Sequence, residues 1–140
     1  MKQEILNGTF DQVSINTIID EALTTMFNPR VAVTDETKAI IRQYAQGLSD
    51  KFLKVIEEYN KPELDESYLD NVFEAIDKFV IEFNDTLNKI SNKYIYSSVG
   101  IIWSGMFATL SYEFKGSPDW WTFEYANDKL RVVMMEKIKP

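Results

Sequence analysis

The chain has 140 residues, is 45% hydrophobic and 14% aromatic, and carries a formal net charge of −7. That length and apolar content suit one domain, residues 1–140, with a real core. It contains neither cysteine nor histidine, which excludes disulfides, thiolate and imidazole metal sites, cysteine nucleophiles, histidine-based triads and histidine pH switches.

Residues 1–14 carry Ile5, Leu6, Phe10 and Val13 around an Asn7-Gly8 turn signal, a pattern that fits a short helix or an edge strand. No apolar leader with a small-residue cleavage site follows Met1-Lys2-Gln3-Glu4, so a cytoplasmic protein is expected. Ile15, Ile18, Ile19, Ala22, Leu23, Met26 and Phe27 make a helical stripe that Ser14 can cap and Asn28-Pro29 ends. Thr34 or Asp35 opens a longer helix with the stripe Ile41, Tyr44, Ala45, Leu48, Phe52, Val55, Ile56 and Tyr59, stopping at Asn60-Lys61-Pro62.

Asp65 then caps a helix from Glu66 to Ile90. Its apolar residues Leu69, Val72, Phe73, Ile76, Phe79, Val80, Phe83, Leu87 and Ile90 recur at spacings of three and four. The short connection before it makes the two helices a long antiparallel hairpin.

After Ile90 the pattern changes. Tyr94 to Tyr112 holds no charge over 19 residues, a length at which a membrane span is thinkable. Its serines, threonine and two glycines favour a buried strand or helix instead. Around Tyr94 to Trp103, Gly100 and Gly105 suggest a helix end, a bend and a short strand. From Met106 onward apolar residues alternate. Asn127-Asp128 would close a two-residue hairpin, and Gly116 to Asp119 a four-residue one. The register then puts Leu110, Tyr112, Phe114, Trp121, Phe123, Tyr125, Leu130, Val132 and Met134 on one face, with Glu124 opposite Arg131 on the other. The expected fold is α+β. Three N-terminal helices over about 15–92 precede a three- or four-stranded antiparallel β-meander over about 106–138, with strands near 106–115, 120–126 and 129–138.

Four features bear on function. Between Glu57 and Asp85 ten acids face two lysines, a balance of −8 that leaves the rest of the chain at +1. Asp70, Glu74, Asp77 and Asp85 cluster within roughly 80° of the helix circumference with Ile81 among them. That arrangement reads as an interaction face for a basic protein, carboxylates steering and Ile81 anchoring, or as an ordinary solvated face. A carboxylate metal site on Asp70, Glu74 and Asp77 would require acids converging from a second helix, and no such motif is present. In the β register Trp120, Val133 and Met135 share the outer face beside Lys115, a second candidate contact patch. Trp103 between Gly100 and Gly105 reads as packing. No serine lies at a Ser-x-x-Lys spacing.

The expected function is therefore non-enzymatic protein–protein binding of the inhibitor, antitoxin or immunity kind. Candidate partner-binding residues are Asp70, Glu74, Asp77, Ile81, Asp85, Trp120, Val133 and Met135, with no cofactor, no metal, no membrane and no direct nucleic-acid contact. Two further readings stand behind it. One is a structural or accessory component of a phage or secretion assembly, homo-oligomeric through the outer patch. The other, more remote, is a carboxylate-based metal-dependent phosphohydrolase.

Overall fold

A computed structural model describes residues 1–25, 33–61 and 67–138. These residues form seven helices: α1 (Lys2–Leu6), α2 (Gln12–Thr25), α3 (Asp35–Gln46), α4 (Ser49–Tyr59), α5 (Ser67–Asn88), α6 (Lys93–Glu113) and α7 (Trp121–Ile138). There is no sheet among them, and the one β-type contact is an isolated bridge between Lys115 and Ser117. The expected endings at Asn28-Pro29 and Pro62, the Asp65 cap, and Met26 and Phe27 lie outside the described residues.

Local chemistry sets the helix starts. Asp11 and Ser14 bond reciprocally: the Ser14 N–H donates to Asp11 Oδ1 at 3.1 Å and the Asp11 N–H to Ser14 Oγ at 3.4 Å. This is a capping box one turn ahead of the expected Ser14 cap. Thr34 Oγ1 accepts from the Thr37 N–H at 3.1 Å and opens α3. Asn92 Oδ1 accepts from the Ile95 N–H at 3.0 Å and opens α6.

The expected long helix from Asp35 to Tyr59 is two helices. The break falls at Gly47-Leu48, where the Leu48 N–H turns back to the Ala45 carbonyl at 3.2 Å in a tighter turn. Glycine is the weakest non-proline helix former. The Ala45 carbonyl also accepts the indole N–H of Trp103 at 3.0 Å, across 58 positions of sequence. A buried tryptophan thus finds its partner where the helical ladder is interrupted.

The long segments are α3 with α4, α5, α6 and α7. Ala45 meets Trp103, Phe52 meets Phe107 and Tyr59 meets Phe114, so α3–α4 runs parallel to α6. Gly100 meets Met134, Ser104 meets Asn127 and Phe114 meets Phe123, so α6 and α7 are antiparallel. Phe73 contacts Trp121 and Tyr125 while Asp77 contacts Tyr125, so α5 and α7 run parallel. The α2 helix leans on the α3–α4 pair, through Arg42 to Asp20 at 2.7 Å and Gln12 to Ser49 at 2.9 Å. At the centre, Phe52, Phe79, Trp103 and Phe107 are fully buried with ring centroids 5.1–6.3 Å apart, mostly tilted or edge-on. The buried apolar side chains form one contiguous cluster.

The expected β-meander is overturned, and with it the α+β class. Residues 106–113 belong to α6, and the two other proposed strands are halves of α7. Asn127-Asp128 is mid-helix, whereas the Gly116 to Asp119 segment is a true turn, with Gly116 at φ +115. The buried set is helical: Met106, Phe107 and Leu110 in α6, Phe123, Ala126 and Leu130 in α7. Three residues that alternation sent inward are exposed: Tyr112 at 79%, Trp121 at 42% and Val132 at 53%. The alternation arose because α7 is apolar on two sides, and two helical stripes on opposite faces superpose into a period close to two. The uncharged stretch of α6 is an uninterrupted helix, not a bend and strand. Its Gly100 lets the Met134 side chain rest on the backbone, 2.8 Å from where a Cβ would stand.

Trp103→Phe keeps an aromatic ring in the core but removes the N–H and leaves a void. We expect a loss of about 2 kcal/mol in urea unfolding; an unchanged midpoint and slope would refute the role given to the indole.

Candidate functional site

The outer face of α5 carries the acidic group. Asp70, Glu74, Asp77 and Asp85 are exposed, and Ile81 between them is 61% exposed. Their helix is fixed from the other side by Val72, Ile76, Phe79, Phe83 and Leu87, all buried. The carboxylates are not equivalent. Glu74 pairs with Lys78 at 3.1 Å. Asp77 accepts the Tyr125 hydroxyl at 3.1 Å, and burial together with Asp77 raises the pKa of that phenol. Asp70 and Asp85 form no ion pair among the described residues. Upstream in the same acidic segment, Glu58 is buried, and hydrogen bonds from Lys61 and Lys54 hold its carboxyl below the usual range.

The acidic face borders α7. At the seam Phe73 meets Trp121 and Tyr125 with centroids 5.3 and 5.0 Å apart. Beyond it Val132 is 53% and Met135 63% exposed. The outer patch expected from the β register is therefore rearranged. Trp120 and Val133 pack partly buried against the core, and only Met135 of the three stands outside. Trp121 and Val132, placed inside by the sheet register, take their place.

Two features carried no warning in the sequence. Asp119, in the turn between α6 and α7, is buried and accepts the hydroxyls of Tyr59 at 2.8 Å and Tyr68 at 2.6 Å. One carboxylate so ties the end of α4 and the start of α5 to the α6–α7 turn. Burial, then the Asp119 carboxylate, push the Tyr59 phenol well above its ordinary value. Long-range pairing of this kind leaves no spacing to read. The second feature is an open groove of about 480 Å³ between α2 and α6, lined by Ile18, Ala22, Ile101, Gly105 and Met106 with Glu21 and Glu113 at its rim.

Chemically the α5 face offers steering charge and an apolar anchor, and the α7 face offers apolar area. Among the described residues no group of three or more acids is gathered where it could hold a metal ion, and no helix is long and apolar enough to cross a membrane. No family model matches the chain, and neither the curated proteins nor the solved structures contain a significant match to it.

A phenol whose pKa is raised by folding stabilises the fold fully below its unfolded value near 10, and that contribution is lost as pH climbs past it. Stability should therefore fall above about pH 10, and Tyr59→Phe should flatten that alkaline slope while costing about 1–3 kcal/mol at neutral pH. Denaturant titrations at several pH values check both; an unchanged alkaline slope in the variant would remove Tyr59 as its source.

Proposed function

We propose that the protein acts without enzymatic activity of its own, by binding a basic protein partner through the outer face of α5, as inhibitors, antitoxins and immunity proteins do. The observation that carries this reading is Ile81, a large apolar residue left in solvent amid four exposed carboxylates. An isolated exposed isoleucine is ordinary. One set among Asp70, Glu74, Asp77 and Asp85 on a rigid helix has the composition of a contact, charge at the rim and an anchor within. The face lies in the segment whose balance of −8 exceeds the chain's whole net charge, so a basic surface is its electrostatic complement. A nuclease or nucleic-acid-binding protein has such a surface, and carboxylates can occupy a site shaped for phosphates. We place this activity in the cytoplasm.

A component of a larger assembly, such as a phage or secretion particle, is the second reading. The outward apolar residues of α7 favour it, since they add contact area that an acid-steered inhibitor does not need.

The test is capture of partners from the native organism's extract on the immobilised chain, with elution by increasing salt. The bound protein should be basic and should leave steeply with salt. Asp70→Lys with Asp77→Lys should weaken its binding at least about tenfold. Binding that survives both high salt and the double reversal would end the inhibitor reading.

A further inference from the structure

We propose that α7 is a self-association face, through which two copies of this chain pair side by side with their α7 helices parallel and in register. The inward side of α7 is accounted for by Phe123, Ala126 and Leu130, all fully buried. Its outward side carries Trp121, Tyr125, Asp128, Val132 and Met135. Their successive spacings are four, three, four and three residues. This is the repeat with which one helix lies along another, and the five fall within roughly 80° of the circumference. The stripe is about 21 Å long at ~1.5 Å per residue. Three of its members, Trp121, Val132 and Met135, are large apolar side chains exposed by 42%, 53% and 63%. Trp121 rests one side of its ring on Phe73 of α5, while Val132 and Met135 are more than half exposed.

Charge identifies the occupant. Glu124 and Arg131 flank the stripe on one side, Lys129 and Glu136 on the other. Between parallel in-register helices, a residue on the first flank faces the residue five positions later on the second helix. Glu124 then meets Lys129 of the second copy, and Arg131 meets Glu136 of the second copy. Both pairs are of opposite sign, and the two-fold axis doubles them to four. None of Glu124, Arg131 and Glu136 forms an ion pair among the described residues, and Lys129 lies over the Tyr125 ring, 5.4 Å from its centroid, at the seam itself. Antiparallel pairing would bring the two acidic α5 faces together on one side. The parallel arrangement keeps them apart. Asp128 is the one unfavourable member, since it faces Asp128 of the second copy. A polar residue at one seam position fixes register at a cost in affinity.

This goes beyond the partner-binding reading and does not rest on it: a monomer that still binds a basic partner through α5 would sink this inference alone. The experiment is sedimentation equilibrium of the full chain at physiological salt, with variants at exposed positions whose fold is checked by circular dichroism. We expect a monomer–dimer equilibrium that Val132→Asp abolishes and Asp128→Asn tightens. Glu124→Lys should raise the dissociation constant about tenfold, and adding Lys129→Glu should restore it. The chain has no cysteine, so Met135→Cys reports register directly. It should form a disulfide-linked dimer in a glutathione buffer far faster than the control Glu82→Cys on α5. A monomer at all concentrations, a dimer untouched by Val132→Asp, or crosslinking of Met135→Cys no faster than the control would each overturn the proposal.

Discussion

The fold turns on the hydrogen bond from the Trp103 indole to the Ala45 carbonyl. A continuous helix through residues 35–59 would have engaged that carbonyl with the backbone four residues on. At the interruption at Gly47-Leu48 the oxygen accepts the Leu48 N–H in a tighter turn and, on its second lone pair, the indole N–H from α6. Trp103 has no exposed surface, so its N–H must be met inside the protein. The break and the buried tryptophan therefore answer each other. Around this point Phe52, Phe79 and Phe107 close the middle layer, and α3–α4, α5 and α6 converge on it.

One end of the bundle has a polar counterpart. Asp119 would be costly as a lone buried carboxylate. Two tyrosine hydroxyls, from Tyr59 at the end of α4 and Tyr68 at the start of α5, satisfy it. The α6–α7 turn is thereby fixed to the α4–α5 hairpin. This fixing, with Phe73 packed on Trp121 and Tyr125, sets α7 beside α5. The acidic face and the outward apolar stripe consequently lie on adjacent helices. Exposed apolar side chains and exposed carboxylates thus stand side by side on helices rather than on loops.

The acidic face was legible from spacing alone. Asp70, Glu74, Asp77, Ile81 and Asp85 share one side of a helix by arithmetic, and a helix with a buried opposite stripe has no other place to put them. Whether Ile81 lay under another segment could not be read, because what covers a residue is a long-range matter. The C-terminal third misled for the same reason. Trp121, Phe123 and Tyr125, with Val132 and Met134 further on, alternate as in a strand, and aromatic and β-branched residues favour strands locally. In the fold Phe123 turns inward to the core while Trp121 and Val132 turn outward. Two helical faces, one for the bundle and one for solvent, read in sequence as a single pleated face. Trp120 and Val133 change sides for the same reason, and the tie that Asp119 makes has no local signature because its partners lie 60 and 51 positions away.

The sequence by itself determined the chemistry that is absent, the concentration of charge between Glu57 and Asp85, and the helices whose one apolar stripe repeats every three or four residues. Those are properties of composition and of local period, which a chain carries wherever it folds. Only the tertiary structure decided that Lys93–Glu113 and Trp121–Ile138 are helical, that a helix breaks at Gly47 beside Trp103, and which apolar face of α7 is buried. Each of those choices rests on contacts between residues far apart in the chain, and a segment apolar on both sides has no local preference between them.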